Sequence, residues 1–474
     1  MNEEQKKYFL ILTLGCKLNQ LESEAVSDAL SRAGFELLTE TNAESPSLII
    51  INTCTVTSKA DQKARRVIRK ALRDYPYTCV VVTGCYAQLN KDDILALDTD
   101  AQNRLFVINK KEILDLPEYL FKSEIKNRKS EHLSFQLTAF KPSEPAPDSR
   151  LLTPNFQFNP KHFSNHTRSF LKIHDGCGKH CTYCKIRLAR GPSISLDANE
   201  VLSRLRMLEQ NHAEAVLAGV NISQYVDFGF FINEQSRTEE DKVFGLTELL
   251  DYLLSGTEKI AIRLSSLAPE SVDEKFANVL AHERIRPHFH LSVQSCSDKV
   301  LEKMGRDYTG QTVEKAAALL RSAKSDPFLA CDIITGFPGE TQSEFEQTYS
   351  MCKKIGFAWI HVFPYSKRQG TPAFLFKENI TESEITKRVE LFTDLAKQGR
   401  VDYVRRWLGR EVDVLIENRE RGKAYCLGVS ENYLKTLVRH KREKKPSPGT
   451  VLRCKLIEEG DFLDFDVAAE EVLV

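Results

Sequence analysis

Residues 175–191 read DGCGKHCTYCKIRLARG and set three thiols, Cys177, Cys181 and Cys184, in a C-x3-C-x2-C spacing. Thiolates are soft ligands that suit zinc or iron–sulfur clusters. Structural zinc normally takes four ligands, most often as two C-x2-C pairs. Only three cysteines cluster here, and His180 sits inside the short loop, where it fits poorly as a fourth ligand. The spacing therefore favours a cluster over zinc without excluding the metal. Three thiolates on a four-iron cubane leave one iron without a protein ligand, free to bind a small molecule and pass it an electron.

A second set of thiols is scattered in sequence. Strand-like runs over 8–14, 48–52 and 79–82 end just before Cys16, Cys54 and Cys85, with helical spacing over 22–33 and a basic helix over 58–72 between them. Repeated β-α-β crossovers imply a parallel sheet, whose ligands gather at the carboxyl ends of its strands. The three cysteines then meet at one sheet edge, or they are three unrelated buried thiols, since cysteine is often buried for packing alone. Cys79, inside the third strand, reads as a core thiol.

These sites need a scaffold larger than one domain, and 474 residues with 42% hydrophobic content provide for two or three. Lys+Arg and Asp+Glu both number 66, so RNA binding, if present, must rest on local patches. Neither a signal peptide nor a membrane span is legible, which sets a cytoplasmic location as the expectation. In that compartment twelve cysteines are thiols, ligands or redox groups rather than disulfides.

The pattern divides the chain into an α/β region over 6–122, a linker over 123–162, a second α/β region over 163–397 and a short-stranded region over 398–469. The second region alternates six strands with helices, which predicts a partial or full barrel with its site at the C-terminal mouth of the strands. Beyond Gly409 the period becomes two, predicting a small all-β, OB-like barrel. Its basic run, Arg439-His440-Lys441-Arg442 with Lys444 and Lys445, is a solvated hairpin loop or a phosphate contact. Arg405, Arg406 and Trp407 are candidates to engage phosphate and a base.

The C-x3-C-x2-C motif is similar to the signature of the radical AdoMet enzymes. TLGCKLNQLESE (13–24), INTCTVT (51–57), VTGCYAQ (82–88), LAGVNISQY (217–225), RLSSLAPE (263–270), HLSVQSCSDKVLEKMGRDYT (290–309), DIITGFPGET (332–341), HVFPYSKRQGTPA (361–373) and GVSENY (428–433) resemble, in order, segments of the methylthiotransferases. The resemblance covers nearly all the chain apart from the linker. It implies an α/β protein with an N-terminal methylthiotransferase domain, a central radical AdoMet (β/α)6 partial barrel and a C-terminal TRAM domain.

By the same resemblance, Cys177, Cys181 and Cys184 hold a 4Fe–4S cluster whose open iron chelates S-adenosylmethionine and whose electron yields a 5′-deoxyadenosyl radical. Cys16, Cys54 and Cys85 hold an auxiliary 4Fe–4S cluster that carries or receives sulfur. Two AdoMet molecules serve each product, one giving the methyl group. Tyr183 lies near the adenine, or packs behind the loop. Gly219 and Asn221 hold the AdoMet amino group, and Ser265 and Ser266 its ribose or carboxylate. Gly336 and Glu340 lie where backbone approaches the adenine, unless Glu340 caps the following helix.

Two segments depart from the family: Cys296, where glycine is frequent, and Arg187-Leu188, where proline commonly leads. Both bear on the substrate pocket. TLGCKLNQ, INTCTVT and HVFPYSKRQGTPA most resemble the branch acting on threonylcarbamoyl-adenosine at position 37 of tRNA. The alternatives are isopentenyl-adenosine in tRNA, an aspartate of a ribosomal protein, and, in another class, a non-catalytic iron–sulfur or zinc RNA-binding protein. The implied partners are the tRNA anticodon loop and a flavodoxin or ferredoxin as electron donor, with no membrane.

Overall fold

A computed structural model describes residues 7–38, 44–98, 104–122, 156–160, 167–229, 244–377, 379–421, 425–442, 444–458 and 465–472. Most of the expected linker, and the basic position Lys444 aside, its acidic neighbour Glu443 in the C-terminal run, lie outside the described residues. The chain divides into two compact units. The first is Met1–Asn165 with Asp175–Cys177 and Cys184–Pro192; the second is His166–His174, Gly178–Tyr183 and Ser193–Val474.

The first unit runs β1 (Lys7–Thr13), α1 (Lys17–Arg32), β2 (Phe35–Leu37), β3 (Leu48–Thr53), α2 (Ser58–Asp74), β4 (Cys79–Gly84), α3 (Cys85–Leu89), α4 (Lys91–Leu95), β5 (Leu105–Val107) and α5 (Leu116–Lys122). Its strands form one parallel sheet in the order β2-β1-β3-β4-β5. LIIINT and CVVVTG are buried along their whole length, because central strands of a parallel sheet are covered on both faces. Ile50 and Val81 turn to one face, packing with Val26 and Leu30 of α1. Ile49, Ile51, Val80 and Val82 turn to the other, against Ala64 and Ile68 of α2. Cys79 is 2% exposed within this core, as its place in the strand predicts. Phe158, at the end of the expected linker, joins the same core.

The second unit opens with β6 (Ser169–Asp175), which ends in the first unit. There follow α6 (Ile186–Arg190), itself part of the first unit, then β7 (Ile194–Ser195), α7 (Ala198–Glu209), β8 (Glu214–Gly219), β9 (Val226–Asp227), β10 (Phe244–Gly245), α8 (Leu246–Gly256), β11 (Ala261–Leu264) and α9 (Glu274–Leu280). The chain continues through β12 (His288–Gln294), α10 (Asp298–Met304), α11 (Gly310–Ala323), β13 (Phe328–Thr335), α12 (Gln342–Ile355), β14 (Trp359–Pro364) and α13 (Glu382–Trp407). Parallel pairing joins β6, β8 and β11, and likewise β12, β13 and β14. Two isolated parallel bridges, Ile262 to Ile285 and Leu267 to Leu291, connect the two sets. Six parallel strands thus make the expected open barrel.

Helix α13 passes straight through the expected boundary at 397. Beyond it β15 (Glu411–Arg421), β16 (Tyr425–Ser430), β17 (Lys435–Arg439), β18 (Val451–Ile457) and β19 (Val467–Glu471) close a barrel in the order β15-β16-β17-β19-β18. Alternate residues such as Val412, Val414 and Ile416 fill it, as period two requires. Its core is continuous with Phe328, Ala330 and Ala358 of the α/β barrel and with Tyr403 and Trp407 of α13. Trp407 is 8% exposed, and Arg406 is held by both oxygens of Asp326 at 2.9 and 3.1 Å. This corrects the reading of Trp407 as a base contact, since it packs in the core; Arg406, half-exposed, is tied to Asp326. No helix among the described residues is long and apolar enough to cross a membrane.

Candidate iron–sulfur sites

The three strand ends of the first unit converge because glycine and amide side chains let them. Gly15 has φ +104°, and a Cβ there would lie 2.5 Å from Cys54 Cβ. Gly84 has φ +96°, and its Cβ would lie 2.3 Å from the Thr53 carbonyl oxygen. Only glycine allows both the conformation and the approach. Asn19 Nδ2 donates to the Leu14 and Thr53 carbonyls at 2.7 and 3.0 Å, and Asn52 Nδ2 donates to the Asn19 carbonyl at 2.9 Å. Thr53 Oγ1 donates to the Thr83 carbonyl at 2.6 Å.

Cys16, at the N-cap of α1, is exposed, whereas Cys54 and Cys85 are buried. Burial pushes the Cys54 thiol up to about 11, and nearby Cys16 and Cys85 add to the rise. Thiolate ligands in a partly buried place call for a positive charge beside them. Arg190 supplies it: Nε donates to Cys85 Sγ at 3.2 Å. Its Nη1 reaches Glu22 and Asp175 at 3.1 and 3.0 Å, and its Nη2 donates to Asn19 Oδ1 at 3.0 Å. Burial works against the guanidinium charge, but Glu22, Cys85 and Asp175 hold it firmly protonated. Lys110 pairs with Glu22 and adds a second cation. Three thiols with one open side and a compensating cation fit a thiolate-ligated iron cluster.

The loop 176–185 carries the other three thiols, all half-exposed. On the first unit's side, Gly176 has φ +67° and a Cβ there would fall 1.7 Å from the Pro192 oxygen. Cys177 N donates to the Gly191 carbonyl at 3.2 Å, and Cys184 Sγ accepts from Ile186 N at 3.5 Å. On the second unit's side, Thr182 N donates to the Met304 carbonyl at 2.9 Å. Lys179 pairs with Asp307 at 2.6 Å and with Glu270 at 3.2 Å. Three thiols carried on one short loop are a donor set that fits a cluster with one open iron.

A model described as the Radical SAM superfamily matches residues 171–352, and one described as Uncharacterized protein family UPF0004 matches residues 8–105. The threonylcarbamoyladenosine tRNA methylthiotransferase MtaB of Treponema pallidum is 36% identical over 495 residues, covering 96% of this chain and 99% of its own. The chain belongs to the radical AdoMet methylthiotransferases. A like-named relative from Thermotoga maritima is 33% identical, with 90% of each chain covered. The tRNA-2-methylthio-N(6)-dimethylallyladenosine synthase of Neorickettsia sennetsu is 29% identical, covering 88% of this chain and 84% of its own.

In this methylthiotransferase the residues expected near AdoMet sit at the C-terminal ends of β8, β11 and β13. A Cβ at Gly219 would lie 2.7 Å from Ile222 and 2.8 Å from His174, so close packing of the turn accounts for this glycine. Asn221 follows in that turn, its N–H donating to His174 Nδ1 at 3.5 Å. Ser265 Oγ is buried with no hydrogen-bond partner among the described residues, a polar atom suited to a ligand; Ser266 beside it is half-buried. Gly336 has φ +76°, and a Cβ there would meet Ile385 at 2.6 Å.

Glu340 is different. Its Oε2 accepts from Gly336 N and from Arg388 Nη1, both at 2.7 Å, and the residue is 3% exposed. The carboxylate is therefore a brace between the loop and α13. The helix cap belongs to Thr341, whose hydroxyl accepts from Glu344 N at 3.3 Å. Tyr183 packs edge-on against Phe337 and accepts from Arg306 Nη2 at 2.7 Å, in the apolar cluster with Val300 and Met304.

Cys296 is buried, and its thiol meets Cys352 of α12 behind the strands. At this position the thiol packs against α12.

Sequence reading missed Arg190, which no spacing rule marks. It also missed the group made by His290, Asp332 and His361 on neighbouring strands of the methylthiotransferase barrel. His290 Nε2 lies 3.1 Å from Asp332 Oδ1, and the two imidazoles stack at 5.3 Å. Register was the available signal, since Asp332 stands opposite His361.

Proposed function

We propose that the protein transfers a methylthio group to C2 of N6-threonylcarbamoyladenosine at position 37 of tRNA. It does so with two 4Fe–4S clusters, one at Cys177, Cys181 and Cys184 and one at Cys16, Cys54 and Cys85, and with two AdoMet molecules, as radical source and methyl donor. The reading is supported above all by the second trio of thiols, gathered by the sheet edge of the first unit with a buried cation against it. The relatives' names support the tRNA substrate and its branch.

The cluster at the 176–185 loop supplies, when bound, the electron that cleaves AdoMet to a 5′-deoxyadenosyl radical. The chain's own residues bind and position. Cys177, Cys181 and Cys184 ligate from a loop pinned by Gly191 and Met304. Ser265 offers its unpaired hydroxyl, with Ser266, to the ribose or carboxylate of AdoMet. Gly219 and Asn221 take the amino group, and the Gly336 turn, braced by Glu340, brings backbone near the adenine. Arg190 balances charge at the auxiliary thiolates. The five-stranded barrel acts as a TRAM domain toward the anticodon loop, with a flavodoxin or ferredoxin as reductant.

Anaerobic reconstitution then yields about eight irons per chain, and reduction with AdoMet releases 5′-deoxyadenosine. Nucleoside mass spectrometry of tRNA from a deletion strain shows loss of methylthio-threonylcarbamoyladenosine. Loss of the isopentenyl counterpart instead moves the substrate to that branch, and zinc without iron removes the enzyme reading altogether.

A further inference from the structure

Helix α2, SKADQKARRVIRKALRD, carries seven basic residues against two acidic ones in a chain whose total charge is zero. Ala64, Ile68, Ala71 and Leu72 face the sheet. On the opposite side Lys59, Lys63, Arg66, Lys70 and Arg73 are all exposed and follow one another at steps of four and three. Helical geometry stacks these positions in one stripe, about 21 Å long, with a cation every ~5 Å. Arg69 flanks it, also exposed.

The acids do not neutralise this stripe. Asp61 accepts from Thr55 Oγ1 at 2.8 Å, at the helix start. Asp74 pairs with Arg73 at the far end. Lys59, Lys63, Arg66, Arg69 and Lys70 have no carboxylate partner among the described residues.

Solvated helices in the same chain are built otherwise. On the solvated face of α13, Lys397 pairs with Asp394 and Arg405 with Asp402, each three residues apart. Like charges at that spacing repel and weaken a helix. A one-signed stripe is thus unfavourable by itself and becomes favourable against an external polyanion, whose bound counterions it releases.

Place matters as well as charge. Ser58 opens α2 four residues after Cys54, so the stripe begins at the sheet edge that carries Cys16, Cys54 and Cys85. A ligand lying on it has one end at that edge. We infer that the exposed face of α2 is a phosphate-backbone docking surface for the tRNA substrate, a role that rests on the tRNA reading of the protein. The contact is to phosphates and carries orientation rather than base sequence.

The test uses the anaerobic holoenzyme and a tRNA transcript. The variant Lys63→Glu/Arg66→Glu/Lys70→Glu is compared with wild type and with Lys387→Glu/Lys397→Glu on α13. The α2 variant is expected to bind at least about tenfold more weakly, with the slope of log K against log salt reduced by about two to three, since each lost phosphate contact removes about 0.7–0.9. Its thermal midpoint should be no lower than wild type, and 5′-deoxyadenosine release without tRNA unchanged. Unchanged affinity and slope overturn the inference, as does an equal loss in the α13 variant. Intact tRNA binding with slowed reduction by a flavodoxin assigns the face to an acidic protein and overturns it too. Wild type that binds no tRNA removes the tRNA reading and this inference together.

Discussion

Arg190 Nε donates to Cys85 Sγ at 3.2 Å, from a side chain whose other nitrogens are taken by Glu22, Asp175 and Asn19. The guanidinium is fixed on four sides, so its charge cannot swing away from the thiols. Removing it strips one positive charge from beside these thiols and from the auxiliary cluster proposed there. Arg190→Gln should lower the reduction potential of that cluster by on the order of 100 mV. Arg190→Lys, which keeps the charge, should recover most of it. Redox titration by electron paramagnetic resonance isolates the signal in a background lacking Cys177, Cys181 and Cys184. Equal potentials in the Gln and Lys variants would refute the charge argument.

Gly176 admits no side chain, because a Cβ there would lie 1.7 Å from the Pro192 oxygen and its φ is +67°. Gly176→Ala should push the 176–185 loop out of place while leaving the sheet of the first unit intact. Iron should fall from about eight toward about four per chain, with 5′-deoxyadenosine release lost. Full iron loading in this variant would show that the loop tolerates movement.

Glu214 accepts from Arg263 at 2.7 and 3.0 Å and from Arg286 at 3.1 Å, all deep beneath the terminal barrel. Burial alone would raise its carboxyl, but Arg263 and Arg286 hold it down at about 2, against an ordinary 4.5. A depressed acid stabilises the fold above its ordinary value and loses that contribution as pH falls toward its folded value. Stability should thus decline between about pH 4.5 and 2, by on the order of 3 kcal/mol from this group. Glu214→Gln should cost about 3–5 kcal/mol at neutral pH by leaving Arg263 buried and unpaired. It should also flatten the acid limb in chemical denaturation. An unchanged acid limb would place the acid sensitivity elsewhere.

Trp407 contributes to the core shared by α13 and the five-stranded barrel. Trp407→Ala should destabilise the protein by about 3–5 kcal/mol. Affinity for tRNA, measured below the lowered thermal midpoint, should stay close to wild type. Lost affinity with intact stability would return this residue to the RNA-binding face.

Much of the architecture was legible because hydrophobic period and turn residues are local. LIIINT and CVVVTG announce doubly covered strands, and the period-two runs past Gly409 announce the small barrel. The edge strands β2 and β5 were not legible: three residues such as Phe35–Leu37 carry too little pattern. Helix α10 was hidden for the same reason of length.

By itself, the sequence determined which thiols are available and the spacing of the 177–184 trio, because those ligands are neighbours along the chain. It also fixed the strand ends that carry Cys16, Cys54 and Cys85. Only the tertiary structure decided that Arg190, more than a hundred residues from Cys85, is the cation against that thiol, and that Glu340 and Trp407 are braces. Charge balance and burial are properties of side chains brought together from distant positions, and no local pattern encodes them.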